Sequence, residues 1–185
     1  MPCYVAFLRA INVGGRVVKM EALKKSFVHL GFSDVDTFIA SGNVLFSSRA
    51  KDTARLERQI ETQLLKDLGY EVSTFVRTVD EVIQVSGYTA FPARDVESAL
   101  ALNVGFLAAP MTRDARAALE RLATGIDRFH VRGREWYWLS WAKQSESKIS
   151  NGAIEKALKV RSTLRGMNTI VRLAARLDRA AGSKR

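Results

Sequence analysis

The residues with the clearest potential for chemistry form a basic, glycine-bearing segment near the N-terminus. It reads Arg9-Ala-Ile-Asn12-Val-Gly14-Gly15-Arg16 and lies between an apolar run, Cys3 to Leu8, and the first helical pattern. Adjacent glycines let a ligand approach the backbone closely, and the free N–H groups at a helix start favour an anion. The segment therefore predicts an anion-binding loop, although neither dinucleotide-binding nor Walker-type glycine spacing is present. The alternative is a plain strand-to-helix turn with solvated cations.

The elements that position this loop follow the order strand, helix, strand, strand, helix, strand. Alternating or continuous apolar runs predict the strands, and apolar residues at spacings of 3 and 4 predict the helices. The predicted strands are Cys3 to Leu8, Asp34 to Ala40, Val44 to Ser48 and Val72 to Val76, and the helices run from Met20 through Leu30 and from Asp52 to Leu68. This order is the split βαββαβ pattern of ferredoxin-like domains.

The second half of the chain repeats that order after a short predicted helix over residues 79–87. Its predicted strands are Leu102 to Leu107, Arg128 to Arg132, Trp136 to Trp141 and Val160 to Leu164, and its helices are Thr112 to Leu122, Ser150 to Leu158 and Asn168 to Ala181. The sequence thus predicts an α+β fold made of two tandem ferredoxin-like subdomains, residues 1–88 and 89–185. Residue identity between the halves is slight, so the predicted duplication depends on the order of elements.

Topology brings a second loop beside the first. In a ferredoxin-like sheet the first and third strands are antiparallel neighbours, so Asn12 to Gly15 and the turn Ser41-Gly42-Asn43 should share one edge. This rim could bind a small anion or a carbonyl compound, through Arg9, Asn12, Gly14, Gly15, Arg16, Ser41, Gly42 and Asn43. Two hydrogen-bonded turns that stabilise each other are the structural alternative.

The same residues resemble a known family. Leu8 to Gly15, Met20, Leu23, Gly31-Phe32, Thr37 and Ser41 to Val44 resemble the opening of the bacterial family called domain of unknown function 1697. Residues 147–151, Ile154-Glu155 and 163–169 are similar to a second motif of that family. The resemblance implies two linked ferredoxin-like subdomains and no activity, because the family's function is not established. It adds four candidate ligand-binding residues that match the motif: Lys148, Asn151, Arg165 and Asn168.

Four residues depart from the family pattern. The family usually has Gly at the position of Ala10, Asn at that of Ala90, and Asn-Trp at that of Gly166-Met167. If these positions contact a ligand, its binding in this chain is altered.

Charge is distributed unevenly along the chain. The formal net charge is +10, and residues 101–185 hold 17 basic and 7 acidic side chains, which is the whole excess. Such a balance favours polyanionic partners such as nucleic acid, although solubility alone also explains it. In the last predicted helix, Arg172 and Arg176 lie on a basic stripe that could follow phosphates or could simply be solvated.

A two-residue turn at Gly133-Arg134 predicts a hairpin with five cross-strand pairs, from Arg132 with Glu135 to Arg128 with Leu139, and with two different faces. Alternation places Phe129, Val131, Trp136 and Trp138 on an apolar face that should pack beneath helices. Arg128, His130, Arg132, Tyr137, Leu139 and Trp141 lie on the other face, where cations and rings together suit unpaired bases. The alternative is that this face packs against the other subdomain. The predicted nucleic-acid residues are Arg128, Arg132, Tyr137, Trp141, Arg172 and Arg176.

Several classes of site are disfavoured. No nucleophile elbow, HExxH helix, P-loop or paired-cysteine pattern occurs, and one cysteine with two histidines makes a dedicated metal site improbable. Lys148 between two serines could in principle activate a hydroxyl, but a helix cap at Ser150 or Asn151 is the simpler interpretation. We therefore assign no catalytic residue, metal or cofactor.

Location and function are expectations at this point. No run of 18 apolar residues and no charged leader are visible, which predicts a cytoplasmic protein. The best functional hypothesis is a nucleic-acid or polyanion binding module. The alternative is an enzyme or sensor that binds a small phosphate- or carboxylate-bearing ligand at the rim. The sequence leaves the oligomeric state open.

Overall fold

A computed structural model describes residues 1–9, 11–12, 17–39, 42–142 and 149–182. Within these residues the protein is a mixed α+β fold with two four-stranded antiparallel sheets and seven helices. The chain divides into two compact units. Unit 1 comprises Met1–Gln84 with Leu173–Arg185, and unit 2 comprises Val85–Arg172. No helix in the described part of the chain is long and apolar enough to cross a membrane.

Unit 1 contains the first sheet, whose strand order is β2-β3-β1-β4. Its elements are β1 (Cys3–Leu8), α1 (Met20–His29), β2 (Ser33–Thr37), β3 (Asn43–Ser47), α2 (Thr53–Leu68), β4 (Thr74–Thr78) and α3 (Val79–Ser86), the last of which ends in unit 2. The predicted pairing of the first and third strands is confirmed, since β1 and β3 are antiparallel from Cys3↔Ser47 to Phe7↔Asn43.

Helix α2 shows how local sequence sets an element of this unit. The Asp52 side chain accepts a hydrogen bond from the Arg55 N–H at 3.1 Å and caps the N-terminus. Gly69 adopts φ 77° and ends the helix, a left-handed conformation that glycine tolerates best. Between these ends, Leu56, Ile60 and Leu64 recur every four residues and are buried against the sheet, as the periodicity predicts.

The outer edge of β4 is closed by carboxylates. An edge strand presents alternate N–H groups that would otherwise be open to another chain. In β4, three of these N–H groups each donate a hydrogen bond to a different glutamate. Thr74 N donates to Glu61 Oε1 at 2.9 Å, Val76 N to Glu57 Oε1 at 2.8 Å, and Thr78 N to Glu81 Oε2 at 2.8 Å. Helices α2 and α3 are thereby tied to the edge of the sheet.

Unit 2 contains the second sheet, whose strand order is β6-β7-β5-β8. Its elements are α4 (Ala93–Ser98), β5 (Ala101–Phe106), α5 (Arg113–Arg121), β6 (Asp127–Arg132), β7 (Glu135–Ser140), α6 (Asn151–Leu158), β8 (Thr163–Gly166) and α7 (Met167–Gly182). Helix α7 begins in unit 2 and ends in unit 1. Thr112 caps α5 by accepting from Ala115 N, and Ser150, one of the two predicted caps of α6, accepts from Ala153 N.

The hairpin of β6 and β7 has the predicted register. All five predicted pairs are present, from Arg132↔Glu135 to Arg128↔Leu139. The predicted apolar face is also confirmed: Val131, Trp136 and Trp138 are buried in one cluster with residues of α5 and α6, and Phe129 packs against it. The Trp138 Nε1–H donates to the buried Asp127 Oδ1 at 2.8 Å, which satisfies both polar groups.

Several strand boundaries differ from the predictions, and one helix was not predicted. Strand β2 ends at Thr37 rather than Ala40, because Ile39 adopts a left-handed φ of 52° that breaks the extended chain. Strand β4 begins at Thr74 rather than Val72, where the glutamate contacts begin. Helix α4 was not predicted, because its six residues bury no side chain and so lack an apolar period.

Gly105 in the central strand β5 lies directly beneath the indole of Trp136. A Cβ at this position would lie 2.1 Å from Trp136 Nε1 and Cε2, and Trp136 is buried. Gly105→Ala should therefore lower the free energy of unfolding by about 1–3 kcal/mol, the usual cost of overpacking a core. Urea denaturation measures this change. Gly125→Ala is the control, because a Cβ there has no neighbour within 4 Å; equal losses in both variants would contradict the explanation.

Candidate functional site

The described ends of the two rim loops lie side by side in unit 1. The Leu8 N–H donates to the Gly42 carbonyl at 2.8 Å. Gly42 has φ 72°, and a Cβ there would lie only 2.7 Å from Ile11 Cγ2. The predicted neighbour relation is thus confirmed for these residues. Gly14, Gly15, Arg16 and Ser41, which complete the predicted rim, lie outside the described residues.

The amide side chains of the rim make hydrogen bonds within the protein. Asn12 is half-buried, and its Oδ1 accepts from Val18 N at 2.7 Å, so it joins the two ends of the first loop. Asn43 is buried, and its Nδ2 donates to the Phe38 carbonyl at 3.0 Å, which closes the β2–β3 hairpin. The Arg9 N–H donates to the Ser73 carbonyl at 2.8 Å. Both amides therefore make structural contacts, but Asn43 is buried, whereas the Asn12 side chain is also partly exposed to solvent.

The C-terminal motif residues lie in unit 2, and those described are mostly structural. Ser162 Oγ donates to Asn151 Oδ1 at 3.0 Å, which ties the start of α6 to β8. The buried Arg165 donates from Nη1 to Thr163 Oγ1 at 2.8 Å, and burial lowers its pKa to about 10. Asn168 is exposed in the first turn of α7. Lys148 lies outside the described residues.

Two arginines of unit 2 are stacked on aromatic rings at one surface. The Arg132 guanidinium carbon lies 4.2 Å from the centre of the Tyr88 ring. The corresponding distance from Arg128 to Trp141 is 4.9 Å. We call Tyr88, Arg128, Arg132 and Trp141 the arginine–aromatic surface. Stacking of this kind keeps both guanidinium planes in a defined orientation.

Residues 88–98 hold this surface in place. Arg128 Nη1 donates to Asp95 Oδ2 at 2.7 Å, and the Trp141 Nε1–H donates to Ser98 Oγ at 2.9 Å. Sequence reasoning missed Tyr88, Asp95 and Ser98, because each precedes the residue that it contacts by at least 33 positions and lies in a segment without periodicity. The only signal in the sequence was the aromatic run around Tyr88 and Phe91.

Tyr137 does not belong to the exposed part of this surface. It is 1% exposed, its ring lies 5.3 Å from that of Tyr88, and burial raises the pKa of its phenol. The neighbouring His130 Nε2 lies 2.8 Å from the Tyr88 hydroxyl. Burial, followed by the charges of Arg116 and Arg132, lowers the pKa of His130, so this imidazole is neutral at pH 7. The predicted base-stacking set therefore loses Tyr137 and keeps Trp141, which is half-buried.

The predicted basic stripe on α7 divides between two roles. Arg172 is exposed in the part of the helix that belongs to unit 2. Arg176 belongs to unit 1, where it donates to Asp36 Oδ2 and lies 5.9 Å from the Phe38 ring centre. Lys24 Nζ lies 3.1 Å from Asp36 Oδ1. Arg176 thus joins α7 to β2, which explains its position without a nucleic acid.

Comparison with known proteins gives a family and a fold. A family model described as "Protein of unknown function (DUF1697)" matches residues 1–137. A solved structure of a conserved bacterial protein from Streptococcus pneumoniae is similar, with 23% sequence identity and a TM-score of 0.73 over 96% of this chain and 99% of that one. No curated protein matches the chain. The second predicted family motif, residues 147–169, lies outside the matched range.

The Asp36 contacts predict a pH-dependent stability. Burial raises the pKa of this carboxyl, but hydrogen bonds from Lys24, Thr37 N–H and Arg176, with the charge of Arg176, outweigh burial and hold the pKa below its ordinary 3.8. The stabilisation is present above pH 3.8 and is lost as the pH falls through the lower folded value. Asp36→Asn should therefore be less stable than the wild type at pH 7, and the difference should shrink at pH 3. Denaturation at both pH values measures it; a constant difference would contradict the assignment.

Proposed function

The chain belongs to the DUF1697 family of proteins of unknown function, and we propose that it binds single-stranded nucleic acid through the arginine–aromatic surface of unit 2. The observation that carries the proposal is the pairing of each exposed arginine with a ring, at 4.2 Å and 4.9 Å. Rings and guanidinium planes provide stacking surfaces for unpaired bases, and the guanidinium charge attracts the phosphates between them.

The two arginines have different parts in this proposal. Arg128 binds Asp95, so its charge is partly neutralised and its main effect is to orient the Trp141 ring. Arg132 is exposed and makes no ion pair with any residue that the structure describes. Arg132 is therefore the phosphate contact, and Trp141 is the ring on which a base stacks. Unit 2 as a whole supports an anionic ligand, because residues 85–172 contain 14 basic and 8 acidic side chains.

The rim of unit 1 supports a second candidate function, binding of a small anion. The observation that favours it is the Asn12 side chain, which holds Val18 N–H and so closes the loop between residues 12 and 18 beside Gly42. A closed loop of this kind with Arg9 at its start can direct backbone N–H groups toward phosphate or carboxylate oxygens. Enzymatic use of such a ligand would need further groups, and we assign none.

We also infer that the two units are tandem ferredoxin-like subdomains that arose by duplication. Their strand orders, β2-β3-β1-β4 and β6-β7-β5-β8, are equivalent. In each sheet a valine of the central strand pairs with an arginine of the last strand, Val5↔Arg77 and Val104↔Arg165. Each arginine donates from Nη1 to the carbonyl of the residue before it, at 2.9 Å and 2.8 Å. Such shared detail supports a common origin of the halves, with the boundary near residue 88.

The first test concerns Arg132. Arg132→Gln should weaken binding of a fluorescent uridine octamer by about 5- to 30-fold, because one charged contact and its stacking are worth about 1–2 kcal/mol. Fluorescence anisotropy measures the affinity at two salt concentrations. The logarithm of the affinity should fall with that of salt by about 0.7 for each phosphate contact, and the variant should lose about one contact.

Arg121→Gln is the matched control for this test. Arg121 is an exposed arginine of α5, so its loss changes the net charge equally but leaves the arginine–aromatic surface intact. If both variants weaken binding to the same degree, the effect is one of net charge and the proposed site is wrong. If wild-type protein does not bind the octamer at low salt, the proposed function is wrong.

The second test concerns the rim. Asn12→Asp keeps an oxygen that accepts from Val18 N–H but places a negative charge beside any bound anion. Inorganic phosphate should raise the melting temperature of the wild type, as binding to the folded state requires, and should fail to do so in the variant. The melting temperatures without phosphate should be similar. An equal rise in both proteins would show that the anion binds elsewhere.

A further inference from the structure

The two sheets end in four edge strands, and three of these edges are capped, irregular or short. Edge strands present unpaired N–H and C=O groups to which another chain can pair. Glutamates close β4, as described above. In β2 the register shifts between Ser33 and Asp36, and Asp34 has a left-handed φ of 51°, so the edge is irregular. Strand β8 has four residues, and Glu155 Oε1 accepts the Ser162 N–H just before it, at 2.6 Å.

Strand β6 combines a regular pairing with a length of six residues, which makes it the longest of the four edge strands. Its pairing with β7 is unbroken from Asp127↔Ser140 to Arg132↔Glu135. Because backbone groups alternate in direction along a strand, those of residues 127, 129 and 131 point away from β7. Two contacts agree with this assignment: the Asp127 carbonyl accepts from Thr124 N at 2.9 Å, and the Val131 carbonyl accepts from Arg116 Nη2 at 2.5 Å.

Three consecutive outward groups of β6 remain open. The Phe129 N–H, the Phe129 carbonyl and the Val131 N–H have no hydrogen-bond partner among the residues that the structure describes. One residue of an added strand could form two backbone hydrogen bonds with the N–H and the carbonyl of Phe129. The Val131 N–H could then donate to the next available carbonyl of that strand. The centre of this edge can therefore pair with a further strand, whereas the outward carbonyls at its two ends, those of Asp127 and Val131, already accept hydrogen bonds.

We propose that β6 binds an extended acidic segment of a partner protein, which adds to the sheet as a fifth strand. The charge at this edge selects the occupant. Arg132 is exposed at one end and makes no ion pair with any residue that the structure describes. Arg116 lies against the Val131 carbonyl and 3.8 Å from Glu120, and Arg128, which is exposed one residue before Phe129, binds Asp95, so these two charges are partly neutralised. Carboxylates at alternate positions of an added strand would lie on the face that carries Arg128 and Arg132. This binding mode uses backbone groups, so it stands independently of the proposed nucleic-acid function.

A second copy of this chain fits the edge less well. If two β6 strands paired antiparallel with Phe129 opposite Phe129, Arg128 would lie opposite His130 and Arg132 opposite Ile126. If Phe129 instead paired with Val131, Arg128 would lie opposite Arg132. Neither register supplies a carboxylate for Arg132, and the second opposes like charges, which is destabilising in a sheet.

Amide hydrogen exchange on the full chain tests the proposal. The probe is a capped heptapeptide, Thr-Glu-Val-Glu-Val-Glu-Thr, whose glutamates share one face of a strand. At a peptide concentration ten times its Kd, exchange at the Phe129 and Val131 amides should slow by about tenfold. The His130 amide points toward β7, and the Val76 amide is held by Glu57, so neither should change. A peptide with N-methyl groups on alternate residues of its pairing edge should have no effect.

Four results would overturn the proposal. The first is unchanged exchange at Phe129 and Val131 at millimolar peptide. The second is equal slowing by the peptide in which lysine replaces glutamate, which would remove the role of charge. The third is slowing that depends on protein concentration without peptide, which would make a second copy the occupant. The fourth is equal slowing by a uridine octamer, since a nucleic acid offers no strand backbone to pair with these groups. If both proposals hold, the octamer should bind without changing exchange at either amide, and the acidic peptide should displace it.

Discussion

Both units depend on the same kind of contact. In each, a carboxylate of the helix that precedes the last strand accepts a hydrogen bond from a backbone N–H at or beside that strand. Glu57 of α2 accepts from Val76 N at 2.8 Å, and Glu155 of α6 accepts from Ser162 N at 2.6 Å. Each contact fixes the position of a helix relative to an edge strand and satisfies a donor that would otherwise be open. Because Glu57 is buried, the charged hydrogen bond is made away from water, where it is strong and where its loss would be costly.

With the last strands held in this way, the central strands β1 and β5 are paired on both sides. These two strands fix the positions of the candidate sites. The rim of unit 1 lies where β1 ends beside β3, and its amides serve the turns first. Of the amides that the structure describes at this rim, Asn43 is buried, whereas Asn12 is half-buried and also presents surface.

The arginine–aromatic surface has a different origin. It arises because residues 88–98 cover the second face of the β6–β7 hairpin, burying Tyr137 while leaving Arg132 exposed. The covering residues leave a narrow face with two half-buried rings, Tyr88 and Trp141, and one arginine, Arg132, that is not in an ion pair with the described residues. The proposed base stacking would use the side chains of this face, and the proposed strand addition would use the backbone of β6.

Local pattern determined most of the secondary structure. Apolar periods placed α1, α2, α5 and α6, and polar caps at Asp52, Thr112 and Ser150 set the starts of α2, α5 and α6, because caps and periods act over a few residues. The two-residue turn at Gly133-Arg134 determined every pair of its hairpin. Family motifs in the sequence identified the family. Tertiary structure alone decided which of the candidate side chains are available. Asn43 and Arg165 match the family motif but are buried, and Arg176 is paired with Asp36. Tyr88 contributes to the arginine–aromatic surface although it lies about 40 residues before the hairpin that it covers. These outcomes depend on contacts between residues far apart in the chain, and a pattern of period 2 or 3.6 carries no information about such contacts.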